Sequence, residues 1–408
     1  MNKITTLLVF LITISLQAQI KLGLDVLQES NFKMIEGKRV ALLSNFASRN
    51  KTGKLTFDVF KEQNKFQFKC NFAPEHGFYT TQSAGKHIDN DTLDGIPLIS
   101  LYGKFRKPTN EMLDSIDIIV VDIQDVGIRS YTYISTVYNL MTSAAELNKE
   151  LIILDRPNPL GGVSIDGNTV QDDYRSFVSV IPIPYIHACT IGELAEIING
   201  EKFMGQDNKG KDLKCNLKVV KMQNWKRSFI WEDTGLQWYP TSPNIPNVSA
   251  VRGMAVLGLL GELGIVNIGI GTTSPFQYIG SPDFKIVDFE NEMNKFNINP
   301  IQLNKTSFTP FFGLFANKSN FGYYLNIIPT NYFFPYISFL NIASSLKKSN
   351  PELFDETKLV GAKQNMFKKV TGTKVIFDYL FGNLKELPSF AKDVEHFTKL
   401  RSKYLLYK

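Results

Sequence analysis

Asp117-Ile118-Ile119-Val120-Val121-Asp122-Ile123 is the stretch that decides the fold. Its apolar run is unbroken from Ile118 to Val121. A strand of that kind must be covered on both faces, as in the middle of a parallel sheet. It ends in the polar turn Gln124-Asp125-Val126-Gly127-Ile128-Arg129, and helical periodicity follows from Tyr131 to Asn148. Glu150 to Leu154 is a second buried strand, closed by Asp155-Arg156-Pro157-Asn158-Pro159. Towards the start of the chain, Arg39 to Phe46 and Phe66 to Phe72 have the same character, with an amphipathic stretch from Lys54 to Asn64 between them. The later of those two runs straight into Pro74-Glu75-His76-Gly77. Strand and helix alternating at this spacing predict an α/β fold with a parallel sheet covered by helices on both faces.

The pattern then loosens. Ile181-Pro182-Ile183-Pro184-Tyr185-Ile186-His187 is broken by prolines and cannot be a central strand. Thr190 with Glu193 forms a capping box, and Gly200 suggests the end of that helix. Trp238 to Pro246 carries three prolines and reads as extended chain. A domain transition is placed here. The expected division is a leader over 1–19, a catalytic α/β domain over 20–235 and a smaller mixed α/β domain over 236–408 that closes a cleft. In that second domain Val251 to Leu263 reads as a helix and Gly269 to Thr273 as a glycine-rich turn.

Hydrophobic residues make up 43% of the 408, enough for a sizeable core. A net charge of +6 over this length does not argue for nucleic acid, and none is expected as a partner. Lys3, an apolar run from Ile4 to Leu16 and Gln17-Ala18-Gln19 read as a secretory signal. The run is short for a membrane span, so the mature chain is expected outside the cytoplasm, periplasmic or secreted, without a stable span. Cys70, Cys189 and Cys215 are an odd number with no metal-ligand spacing. No disulfide framework, metal or cofactor is expected; the glycine-rich turn is too short for a dinucleotide fingerprint.

In an open α/β sheet ligands bind beyond the carboxyl ends of the strands. Glu75 and His76 follow one strand there, Asp122, Gln124, Asp125 and Arg129 another, and Asp155, Arg156 and Asn158 a third. Two carboxylates across a glycosidic bond are the usual hydrolase arrangement. Glu75, Asp122, Asp125 and Asp155 are the candidates to converge, with Glu75 favoured as the acid and Asp122, Asp125 or Asp155 as its partner; the alternative for one or two of the Asp is that they cap loops or pair with Arg129 and Arg156. Tyr131, with Tyr133, Trp238 and Tyr239, would suit sugar faces. His76 is expected to orient Glu75 or contact sugar hydroxyls; His187 and Asn244 complete the binding set.

The chain resembles the bacterial exo-β-N-acetylmuramidases of the NamZ type, once a domain of unknown function. The resemblance is carried by Gly23-Leu24-Asp25-Val26-Leu27, Pro74-Glu75-His76-Gly77-Phe78, Ser100-Leu101-Tyr102-Gly103 and Asp122-Ile123-Gln124-Asp125-Val126-Gly127. Arg129 with Tyr131-Thr132-Tyr133, Asp155-Arg156-Pro157-Asn158-Pro159, Thr190 to Ala195, Ser242-Pro243-Asn244 and Gly271-Thr272-Thr273 extend it over nearly the whole mature chain. It implies a Rossmann-like N-terminal domain and a smaller C-terminal one. It implies release of N-acetylmuramic acid (MurNAc) from the non-reducing ends of peptidoglycan fragments such as MurNAc-GlcNAc saccharides, with Glu75 catalytic. There is one departure. Where the family often has Ser-Glu-Gly-Arg-Gly, this chain has Asn267-Ile268-Gly269-Ile270-Gly271.

MurNAc carries a lactyl carboxylate, and Arg129 and Arg156 are expected to grip it as a guanidinium fork. Two other readings stand beside the hydrolase: a non-catalytic muropeptide or glycan binder with the same cleft, and an amidase or esterase using Cys189 with His187.

Overall fold

The computed structural model describes residues 19–359, 361–386 and 389–408, so the leader expected over 1–19 lies almost wholly outside the described residues. The first half contains α1 (Gly23–Glu29), β1 (Arg39–Leu43), α2 (Thr56–Lys61), β2 (Gln67–Ala73), β3 (Asp91–Leu93), β4 (Ile96–Ser100), α3 (Asn110–Leu113), β5 (Ile118–Val121), α4 (Tyr133–Glu146) and β6 (Glu150–Leu154). After it come β7 (Asp166–Thr169), β8 (Pro184–Ile186), α5 (Ile191–Gly200) and β9 (Asn216–Val220). The C-terminal part holds α6 (Val248–Leu263), β10 (Tyr278–Ser281), α7 (Ile286–Met293), β11 (Ile301–Phe308), β12 (Asn320–Ile327), α8 (Pro335–Ser349), α9 (Gly361–Thr371), α10 (Val375–Leu380) and α11 (Ala391–Arg401).

The central sheet has seven strands in the order β3-β4-β2-β1-β5-β6-β9. All neighbours are parallel except the edge hairpin β3–β4. The unbroken apolar run of β5 shows why. Side chains alternate across a strand, so Ile118 and Val120 pack into one core with Leu24, Leu27 and Phe60. Ile119 and Val121 pack into the other, under α4 and α5. The capping box of α5 forms as the sequence predicts, with Thr190 accepting from the Glu193 amide and Glu193 from the Thr190 amide. The proline-broken segment gives β8, which pairs with β7 and bridges Ile128 through Ile186, outside the seven-stranded sheet. In the C-terminal part β10, β12 and β11 form an antiparallel sheet, with α6 packed on β12 and α8.

The strands of the main sheet end on one edge. The segment 238–246 crosses above it and is pinned there. Tyr131 donates its hydroxyl to Thr241 Oγ1 at 2.9 Å, Tyr133 donates to the Thr241 carbonyl at 2.6 Å, and Thr80 donates to the Pro240 carbonyl at 3.0 Å. These tyrosines therefore tie α6 and the C-terminal part to the sheet edge.

Candidate active site

A cleft of about 360 Å³ opens between the sheet edge and the face of α6, a size suited to small-molecule ligands. Glu75 stands in its wall. The chain leaves β2 at Ala73 and turns through His76 and Gly77, both with positive φ, 70° and 74°. That left-handed turn is strained for His76 and free for Gly77. It holds the Glu75 carboxylate towards three donors. Oε1 accepts from the Gly85 amide at 2.8 Å, Oε2 from the Thr132 hydroxyl at 2.5 Å, and the Tyr102 hydroxyl is a further partner. Burial, and then the charge of Glu75, pushes the Tyr102 phenol up to about 12, so it stays a donor.

His76 also lines the cleft. Its Nδ1 lies 2.7 Å from the Gln82 carbonyl. A carbonyl only accepts, so Nδ1 carries the proton and Nε2 is left as an acceptor. Burial lowers the imidazole's pKa and keeps it neutral. Tyr131 presents its ring, and Ser242 and Asn244 reach the cleft from the pinned segment. Asn244 makes no side-chain hydrogen bond among the described residues.

Most of the strand-end set does not converge here. Asp122 is fully buried, takes Arg156 Nε at 2.5 Å and Nη2 at 2.8 Å, and accepts from the Thr56 hydroxyl at 2.5 Å. Asp155 accepts from Thr190, Tyr407 and the Gly192 amide, anchoring α5 and the chain's end; burial raises its carboxyl to about 6. Asn158 bridges the Leu160 amide and the Cys189 carbonyl. Gln124 and Arg156 border a separate hollow of about 110 Å³ beside Arg49 and Tyr239. These groups follow strand ends, as predicted, but are consumed in bonding neighbouring loops to one another.

The guanidinium fork for a lactyl group is likewise corrected. Arg129 is 1% exposed. Its donors go to Ser179 Oγ and to the carbonyls of Asn168, Ile183, Val370 and Thr371, at 2.5–3.3 Å. Burial without a carboxylate partner lowers its pKa to about 10. Arg156 is spent on Asp122 and on the Arg49 carbonyl. Neither presents a free edge to the cleft.

Asp125 and His187 are buried as well. Asp125 accepts from the Gly127 amide at 2.7 Å, and burial raises it to about 7. His187 Nε2 is 3.8 Å from it, too far for a hydrogen bond, and burial lowers that imidazole to about 3. Cys189 donates its thiol to the His187 carbonyl, and burial raises it to about 12. A thiol so held is no nucleophile, which argues against the amidase reading.

Sequence reading missed Glu262. It is the sole carboxylate of the sixteen-residue α6 and sits in its last turn. Met254, Gly258 and Glu262 recur every fourth residue, share one helix face, and line the cleft with Glu75. The available signal was an isolated acid in an otherwise apolar helix. The departure at Ile268 and Ile270 also finds a place. Ile268 is 5% exposed and packs on Gly261 of α6, where a Cβ would approach its Cδ1 to 2.4 Å. Apolar side chains here support the helix that carries Glu262.

Comparison with known proteins gives a consistent result over nearly the whole chain. Residues 40–249 match the exo-β-N-acetylmuramidase NamZ N-terminal family and residues 253–407 its C-terminal family. The chain is 35% identical over 396 residues to the peptidoglycan β-N-acetylmuramidase NamZ of Bacillus subtilis, covering 95% of this chain and 92% of that protein. A crystal structure of a DUF1343 family protein from Bacteroides fragilis superposes with a TM-score of 0.87 at 38% identity, covering 96% of this chain and 99% of the other. A second such protein from that organism gives 0.74 at 27% identity with the same coverage. By sequence along both halves, and by fold, the chain belongs to the exo-β-N-acetylmuramidase NamZ family.

Proposed function

We propose that this chain is an exo-acting glycosidase that releases terminal MurNAc from the non-reducing ends of peptidoglycan fragments, MurNAc-GlcNAc saccharides among them, in cell-wall turnover. The observation that carries the reading is the Glu75 cleft in a member of this family. A carboxylate supplied with an amide, a hydroxyl and a phenol donor faces a cleft edged by uncommitted polar groups, His76 Nε2 and the Asn244 amide. A merely structural carboxylate would be bonded on every side, as Asp122 is. A non-catalytic binder has no need of such a group. Arg106 supports an anionic sugar. Its guanidinium stacks 4.8 Å from the Tyr102 ring and 4.5 Å from the Phe177 ring, and among the described residues no carboxylate pairs with it. It is thus an exposed cation stacked on the residue that bonds Glu75. The basic start and apolar run over 3–16 support action outside the cytoplasm, and among the described residues no helix is long and apolar enough to cross a membrane.

The mode of attack is tested with two tetrasaccharides, one with MurNAc and one with GlcNAc at the non-reducing end. The expected result is free MurNAc from the first and no early product from the second. Internal cleavage of the second would contradict exo action.

A further inference from the structure

The cleft holds two carboxylates in opposite surroundings. Glu75 is met by donors from Gly85, Thr132 and Tyr102. An ionised carboxylate can only accept, and these partners suit it. Glu262 comes from the other domain and has no hydrogen bond or ion pair among the described residues. Its side chain is exposed and reaches solvent through the cleft, with protein close around the carboxyl. Crowding first, and then the charge of Glu75 facing it, raise its pKa above the usual carboxylate range. It also stands at the carbonyl end of α6, where the helix dipole disfavours negative charge. Two acids in one cleft whose environments drive them apart are the pattern of an acid and base pair.

We infer that Glu262 is the proton donor to the glycosidic oxygen and that Glu75 is its ionised partner. The assignment rests on the glycosidase reading above. As the bond from C1 to the leaving oxygen breaks, its electron pair stays on that oxygen. The Glu262 carboxyl proton moves to the same oxygen and completes the released hydroxyl. Water adds to C1, and Glu75 takes its proton. The sum is addition of one water, and solvent exchange restores both acids. The cleft closes functionally only when α6 is docked on the sheet edge, which gives the tyrosine clasp on Thr241 a purpose.

The test compares Glu262→Gln with the wild type on two substrates, MurNAc-GlcNAc and the 4-nitrophenyl β-glycoside of MurNAc. The nitrophenolate leaves without protonation. Loss of a general acid costs about 100- to 10,000-fold on the natural leaving group. The expected result is a shift of at least about 100-fold in the ratio of the two kcat/KM values, against the disaccharide. The ratio is independent of how much of the preparation is folded. In the variant, the fall of disaccharide activity at high pH also disappears. An unchanged ratio overturns the assignment. A wild type that releases MurNAc from neither substrate overturns the glycosidase reading instead.

Discussion

The sheet edge and the α6 face meet across one cleft, yet they treat their acids differently. At the edge, Asp122 is locked to Arg156 and Thr56, and Asp155 to Thr190, Tyr407 and Gly192. In the cleft, Glu75 has only donors for company and Glu262 has no partner at all among the described residues. The same functional group, a carboxylate, serves as mortar in one place and as reagent in the other. What separates Asp122 is the Arg156 cation on its oxygens. Asp155 and Glu75 each have an amide, a hydroxyl and a phenol donor, and what separates those two is that Glu75 lines an open cleft. A buried ion pair fixes geometry; an uncommitted acid beside an open cleft is free to exchange a proton.

That contrast can be broken most forcefully at Asp122. Asp122→Ala leaves Arg156 buried and unpaired, and should cost about 3–5 kcal/mol of stability. Urea unfolding measures it, while kcat/KM of the folded fraction stays within a few-fold. A stable but inactive variant would move Asp122 into the chemistry.

The next effect separates two arginines. Arg129→Met strands buried carbonyls and should cost about 3 kcal/mol. It should lower activity on MurNAc-GlcNAc in step with the folded fraction, by loss of fold. Arg106→Met should leave the melting temperature in place. It should lower kcat/KM per folded molecule about tenfold on MurNAc-GlcNAc, about 1.4 kcal/mol. A folded Arg129 variant with kcat/KM lowered per folded molecule would restore it as the lactyl contact.

Asp125 tests the buried end of the series through pH. Its carboxyl is raised from 3.8 to about 7 in the fold. The protonated form is therefore favoured on folding. Its stabilisation is complete below about pH 4 and is lost as pH rises through about 7. Asp125→Asn should flatten the fall in stability between pH 4 and 7.5. A change of about 2 kcal/mol is expected, roughly half of what the full shift would give. An unaltered slope would mean that Asp125 is not the group titrating there.

Much of this was legible in the chain. Apolar runs such as Ile118–Val121 fix buried parallel strands because nothing else hides both faces of a strand. The Thr190–Glu193 box fixes a helix start because its bonds are local. Pro74-Glu75-His76-Gly77 reads as a reactive loop, and the structure places Glu75 in the cleft. That an Asp pairs with Arg156 was among the readings of the chain, but which one was not legible, since a strand end looks alike whether its polar residues face solvent or each other. Arg129 was misplaced for a related reason. Its acceptors are carbonyls from residues 168 to 371, and no motif records them. Glu262 lies 187 positions from Glu75 and becomes its neighbour only when the second domain docks.

The central claim is that Glu75 performs the chemistry of this cleft. Release of free MurNAc from MurNAc-GlcNAc, followed for the wild type and for Glu75→Gln at matched melting temperature, tests it most directly. The account predicts release by the wild type and a loss of at least about 1,000-fold in the variant, within the range for acid–base groups. A Gln variant that keeps wild-type activity would remove Glu75 from the mechanism.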